Sequence, residues 1–69
     1  MDMRYQYLDG VRVKGNYHGT IVTGTVTSSR MRYQELIHYV DLDALVGSPW
    51  RGDTVCSVIL NADSILEVL

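Results

Sequence analysis

Val11 and Val13 alternate with Arg12 and Lys14, which is the two-residue period of a strand with one buried face. Residues 15–19, GNYHG, follow as a predicted turn, because glycine and asparagine accept positive backbone angles at little cost. Residues 20–33 then divide by parity into a row through Val22, Gly24, Val26, Ser28 and Arg30 and a row through Ile21, Thr23, Thr25, Thr27, Ser29 and Met31. β-Branched residues dominate both rows, so the segment is predicted to be a strand rather than a helix. Gly24 in its middle predicts a bulge or a tight bend. A third strand is predicted over residues 36–43, with His38, Val40 and Leu42 on one face and Ile37, Tyr39, Asp41 and Asp43 on the other. Loop signals gather in GSPWRGD, residues 47–53. TVCSVILN, residues 54–61, is apolar at most positions, as in a strand covered on both faces. After the turn NADS, the closing ILEVL is predicted to be a strand in preference to a helix capped by Asp63 or Ser64 with Glu67.

About five short strands separated by glycine-bearing turns predict an all-β fold: a small, strongly bent antiparallel sheet closing as an SH3-like barrel. The whole chain, 1–69, is read as one domain. The expected inward row is Val11, Val13, Val22, Val26, Val40 and Leu42 with Val55 and Ile59 from the fourth strand. Leu36, Val58, Leu66 and Leu69 are then left over and need a cover, for which a second copy of the chain is the expected source. Length points the same way. A chain of 69 residues buries only about 60% of the surface that it exposes when unfolded. Small domains make up such a deficit with disulfides, a metal or self-association. Cys56 is the only cysteine, so no intrachain disulfide can form. With His18 and His38 as its only histidine companions, a tetrahedral zinc site would need carboxylates. A homo-oligomer, dimer or tetramer, is therefore expected.

Charge and composition narrow the function. A hydrophobic content of 46% with 20% charged residues suits a folded chain rather than a disordered one. No run approaches a membrane span, and the opening MDMRYQYLDG lacks the pattern of a signal peptide. A cytoplasmic protein without a membrane partner is expected. The formal net charge of -2 argues against general binding to DNA, which needs a surplus of lysine and arginine.

Catalytic signatures are sparse. The threonine and serine hydroxyls of the second strand have no paired base in the sequence, and the glycines at 15, 19 and 24 do not form a phosphate loop or dinucleotide fingerprint. His18 and His38 are expected at turn or strand surfaces, and Cys56 as a small buried hydrophobe. Asp41 and Asp43 share a face and would need a divalent metal to act as a phosphodiesterase pair; acceptance by Asp43 of hydrogen bonds from the following loop is the preferred assignment. The tripeptide at 51–53, RGD, matches an integrin-binding motif, but the chain lacks a secretion signal. No enzyme and no cofactor is expected. The constellation with chemical content joins Arg30, Arg32 and Arg51 to the rings of Tyr17, Tyr33, Tyr39 and Trp50. Guanidinium forks match phosphate oxygens and aromatic faces stack on nucleobases, although such groups also seal the ends of small barrels.

The order VRVKGNYHGTIVTGTVTSSR, then HYVDLD, then an arginine-bearing loop and a final ILEV resembles a widespread group of small phage-encoded SH3-like β-barrel proteins. That group is similar to the anti-CBASS sponge proteins, which form oligomers and sequester cyclic oligonucleotide signals of bacterial defence without cleaving them. The similarity spans about residues 11–68. It implies a phage immune-evasion protein in the cytoplasm of an infected bacterium, holding a cyclic GMP-AMP-like ligand at a homo-oligomer interface. Carried across, the strand arginine is Arg30, the loop arginine Arg51 and the aspartate ending the third strand Asp43; Gly24, Thr25 and Val26 form the glycine-threonine-valine element. Tyr17 and Trp50 become the stacking partners and Arg30 and Arg51 the phosphate contacts, with the hydroxyls of Thr23, Thr25, Thr27 or the serines facing phosphate or ribose. ALVGSPW stands here where the group carries an apolar or proline-bearing segment after the aspartate. The competing assignment is a small phage protein-interaction module that binds and inhibits a host protein.

Overall fold

The computed structural model describes residues 7–48 and 52–69. It contains a single antiparallel sheet of five strands: β1 (Arg12–Tyr17), β2 (Thr20–Arg32), β3 (Glu35–Gly47), β4 (Thr54–Asn61) and β5 (Ile65–Val68). A one-turn 3-10 helix, Ala62–Ser64, links β4 to β5. The strand order is β4-β3-β2-β1-β5. Thus the all-β class, and ILEV as a strand, agree with the alternation of the sequence.

Two tight hairpins set the register. His18 and Gly19 connect β1 to β2, both with positive φ, 49° and 90°, the signature of a two-residue turn whose twist matches that of the flanking strands. The Asn16 side-chain oxygen accepts from the Gly19 N–H at 2.7 Å and braces this turn. The turn is shorter than the expected GNYHG, because Gly15, Asn16 and Tyr17 pair with Val22, Ile21 and Thr20. Tyr33 and Gln34, φ 50° and 64°, make the second hairpin. Its residues carry side chains usually uncommon in that conformation, which is why the sequence continues there as a strand.

Gly24 is a site of close approach, and the bulge lies three residues beyond it. The β2–β3 register shifts between Val26 and Ser28, and the extra residue, Thr27, donates its hydroxyl to the Tyr39 carbonyl oxygen at 3.1 Å. One inserted residue reverses the parity of everything after it. Before the bulge Val22, Gly24 and Val26 are buried; after it Ser29 is buried and Arg30 is exposed. The row that placed Ser28 and Arg30 with Val26 is therefore broken.

The core gathers Leu8, Val13, Val22, Val26, Val40, Val58 and Leu60, with Val11, Leu42, Val55 and Ile65 packed against it. Full burial of such side chains stabilises by roughly 1.5–3 kcal/mol each. Two expectations are corrected. Leu36 and Val58 are buried within the chain itself, whereas Ile59 is 55% exposed. Leu36 is buried because it shares the inward face of β3 with His38 and Val40; for Val58 and Ile59 the cause is an irregularity opposite β4, between Asp41 and Val46, which changes the phase of β4 between Val55 and Val58. Cys56 is exposed rather than buried for the same reason. Leu66 and Leu69 remain exposed as expected. The sheet bends so far that Leu60 of β4 stands over Gly15 of β1: a Cβ there would lie 2.6 Å from Leu60 Cδ1. Gly15 thus serves contact across the sheet and not the turn.

His38 is also corrected, from surface to core. It is 0% exposed, because it shares the inward face of β3 with Val40. Its Nδ1 lies 2.7 Å from the Ser29 hydroxyl oxygen, which also accepts the Leu8 N–H at 2.9 Å. Among the described residues, His38 Nε2 is buried without a hydrogen-bond partner. Burial pushes the His38 pKa down, with the charge of Asp9 opposing it. Asp9 itself accepts the Ser29 N–H at 3.2 Å, so the segment preceding β1 is fastened to β2 next to this histidine.

Candidate functional site

Tyr17 closes β1 at the first hairpin, on the side where β4 bends towards β1. Its ring meets His18 edge to face, with centroids 4.7 Å apart. The positive φ of His18 turns the chain here and brings the two rings together. These residues, with Tyr39 of β3 and Ser57, Val58 and Ile59 of β4, line a groove of about 450 Å³. Tyr39 stands opposite Ile59 in the β3–β4 ladder, which explains why both reach the same groove. The guanidinium carbon of Arg30 lies 5.8 Å from the Tyr39 ring centroid, within the range of a cation–π contact. The Thr27 bulge makes this possible by turning Arg30 outward. The groove therefore combines flat rings, an apolar floor and a nearby cation.

The sequence-derived site residues fall into separate places. Tyr17 lines the groove and Arg30 adjoins it through Tyr39. Thr25 and Asp43 are not among its lining residues. Arg12 joins these two instead, donating to Asp43 Oδ1 at 3.0 Å and Oδ2 at 2.5 Å and to the Thr25 hydroxyl at 3.3 Å. Asp43 thus receives a guanidinium fork. Pairing supplies the reason: Arg12 lies opposite Thr25, and β2 pairs with β3 so that Thr25 lies opposite Asp41, two residues from Asp43. Trp50 and Arg51 lie outside the described residues.

The hydrogen bond from Arg12 holds the Asp43 carboxyl below its ordinary value of 3.8, with Thr23 adding to the effect. The same pair raises the Arg12 pKa. Because the folded-state pKa of Asp43 is depressed, its contribution to stability is present above pH 3.8 and is lost as the pH falls towards the folded value. Substitution Arg12→Ala is expected to move the Asp43 titration back up towards 3.8, read by carbon NMR of the carboxyl. Stability should change little, and less still in high salt, since both side chains are about half exposed. An unmoved Asp43 titration is incompatible with the fork.

Sequence reasoning does not assign His18, Ser57 and Ile59 to a site, and it marks Tyr39 only as an extra ring. Alternation along β3 carries a signal for Tyr39, whose parity is opposite to that of Val40. The others need the bend of the sheet. No known protein family matches the chain, and no curated protein and no solved structure was found to be similar to it.

Proposed function

We propose that this chain is a non-catalytic binding protein for a nucleotide-class ligand, and that its strongly bent sheet is an SH3-like barrel left open at β4. In the fuller form implied by the motif resemblance, it is a phage immune-evasion protein in the cytoplasm of the infected bacterium. There it sequesters cyclic oligonucleotide second messengers, cyclic GMP-AMP-like signals among them, at a homo-oligomer interface and leaves them intact. The observation carrying the ligand class is the groove in which Tyr17 and Tyr39 present rings and Arg30 lies against the latter. Stacking on an aromatic ring is worth about 1–3 kcal/mol per base, and a guanidinium matches phosphate oxygens bidentately. At about 450 Å³ the groove falls within the ~300–1,000 Å³ of small-molecule sites. A cyclic dinucleotide carries two bases, so a pair of such grooves from two copies suits it better than one. Trp50 and Arg51 are proposed to add a further ring and a further phosphate contact.

Thermal unfolding against a panel of cyclic di- and trinucleotides tests this proposal. Ligand at 100 times its dissociation constant stabilises by about 2.7 kcal/mol, which for so small a domain raises the midpoint by more than about 10 °C. Substitution Tyr39→Leu is expected to weaken binding by roughly 5- to 150-fold, the loss of one stacked base. Arg30→Ala, at an exposed position, should weaken it with the unliganded midpoint unchanged. The bound nucleotide should be recovered chemically intact. A flat panel, or a ligand indifferent to both substitutions, refutes the nucleotide assignment.

A second assignment, inhibition of a host protein by contact, has its own observation. Tyr33 at the β2–β3 hairpin tip is 90% exposed and Met31 beside it is 50% exposed. Tyrosine and methionine are enriched in protein interfaces. Tyr33→Ser would abolish capture of a protein partner while leaving a nucleotide-induced shift in place, so the two assignments separate cleanly.

A further inference from the structure

The two ends of the sheet differ in how they are defended against pairing. Natural edge strands are kept short, charged, bulged or interrupted by proline, because a row of open backbone groups otherwise recruits another strand. At one end, β5 is four residues long and carries Glu67. At the other, β4 runs for eight residues as TVCSVILN, with no charge, proline or glycine; its ladder with β3 is interrupted at Cys56 and regular from Ser57 to Asn61. Among the described residues it pairs with β3 alone. On it Ile59 is 55% exposed and Cys56 is exposed, while Leu60 and Val58 are already committed to the core.

We propose that the open edge of β4 pairs antiparallel with β4 of a second copy, forming a two-fold dimer. An uncharged strand meets itself without setting like charges opposite one another, which is the electrostatic requirement of a self-complementary contact. The small core of the chain gives that contact a function, since continuing the sheet into a second copy adds buried surface to a domain that is marginal at 69 residues. Ser57, Val58 and Ile59 belong to both this edge and the groove. The partner's strand therefore borders the groove, and the symmetry brings two grooves to one junction. This inference rests on the oligomeric part of the proposed function and not on its ligand.

Sedimentation and light scattering without nucleotide should give twice the 7.8 kDa chain mass. Hydrogen exchange should show protection at successive amides of β4, where a free edge protects only alternate ones. Cys56→Lys and Ser57→Lys, both at exposed positions, place like charges across the junction. Each should give a single-chain mass, an unchanged circular dichroism spectrum and renewed exchange at alternate β4 amides. A wild-type chain that is monomeric with exchanging β4 amides overturns the dimer and leaves this edge for an extended segment of another protein. An oligomer indifferent to both lysines, or one larger than two chains, overturns it as well, since association then uses another surface. A β4-dependent dimer that binds no nucleotide upholds this interface and refutes the sponge, so the two proposals fail separately.

Discussion

Gly24→Ala is expected to destabilise the protein more than Gly15→Ala, although each adds a single methyl group. A Cβ at position 24 would collide with the Asp41 carbonyl oxygen and lie 2.9 Å from both the Asp41 carbonyl carbon and Val40 Cγ1. Two of those three atoms are backbone, so no rotamer change relieves the contact. At Gly15 the nearest atom is instead the end of the Leu60 side chain, which can turn aside, and the nearest backbone atom, the Ser64 carbonyl oxygen, lies farther off at 3.0 Å. Gly24 pairs with Leu42, and its neighbours Thr25 and Val26 pair with Asp41 and Val40. Any retreat of β3 from β2 at this point strains the ladder on both sides. Overpacking of a core costs about 1–3 kcal/mol and sometimes more, against a total stability of roughly 5 kcal/mol for the smallest domains. Gly24→Ala should therefore lower the thermal midpoint by about 4–8 °C for each kcal/mol lost and approach unfolding at room temperature. Urea denaturation of the purified variant measures it. A midpoint equal to that of the wild type would show that the two strands do not approach so closely.

Acid sensitivity centred on His38 is the second large effect. Its side chain is wholly buried, and its pKa is pushed below the ordinary 6.5 by loss of solvation, with the charge of Asp9 opposing. Between 6.5 and the lowered value, the unfolded chain binds a proton at this residue and the folded chain does not. Stability is thus complete above pH 6.5 and declines as the pH falls towards the folded value, below which the loss is constant. The slope for one proton is at most about 1.4 kcal/mol per pH unit. Protonation would give both ring nitrogens a hydrogen to donate, while Nε2 has no acceptor among the described residues. His38→Leu removes the titration and the orphaned nitrogen, and the Ser29 oxygen still accepts the Leu8 N–H. Urea midpoints compared between pH 7.5 and pH 5.5 should fall for the wild type and hold nearly level for His38→Leu. Parallel declines in both proteins would assign the acid response to other groups.

His38 also shows how much of this molecule can be read from its alternation. Its parity with Val40 is that of the inward face, although the sequence reading expects it at a turn or strand surface. Burial of the imidazole depends on Ser29, nine residues earlier, and Ser29 faces inward only because Thr27 is an inserted residue. The candidate site follows the same logic. Tyr17 is legible as a ring within the predicted turn, and Arg30 as a cation near an aromatic. That Arg30 contacts Tyr39 required the bulge. That Thr25 and Asp43 share Arg12 required the pairing of three strands, since Arg12 and Asp43 are 31 residues apart.

Alternation, β-branched residues and turn chemistry by themselves determined an all-β chain, its five strands and four of the seven described core residues, Val13, Val22, Val26 and Val40. Those properties are local, and a strand displays its two faces within a few residues. The tertiary structure alone decided the rest. Where β2 carries an extra residue, where β4 changes phase, and how far the sheet bends all depend on contacts between distant segments, above all Gly24 against Asp41 and Gly15 beneath Leu60. A shift of one residue exchanges the faces of everything beyond it. Local sequence therefore determined that strands form, and long-range packing decided which of their side chains meet at the groove.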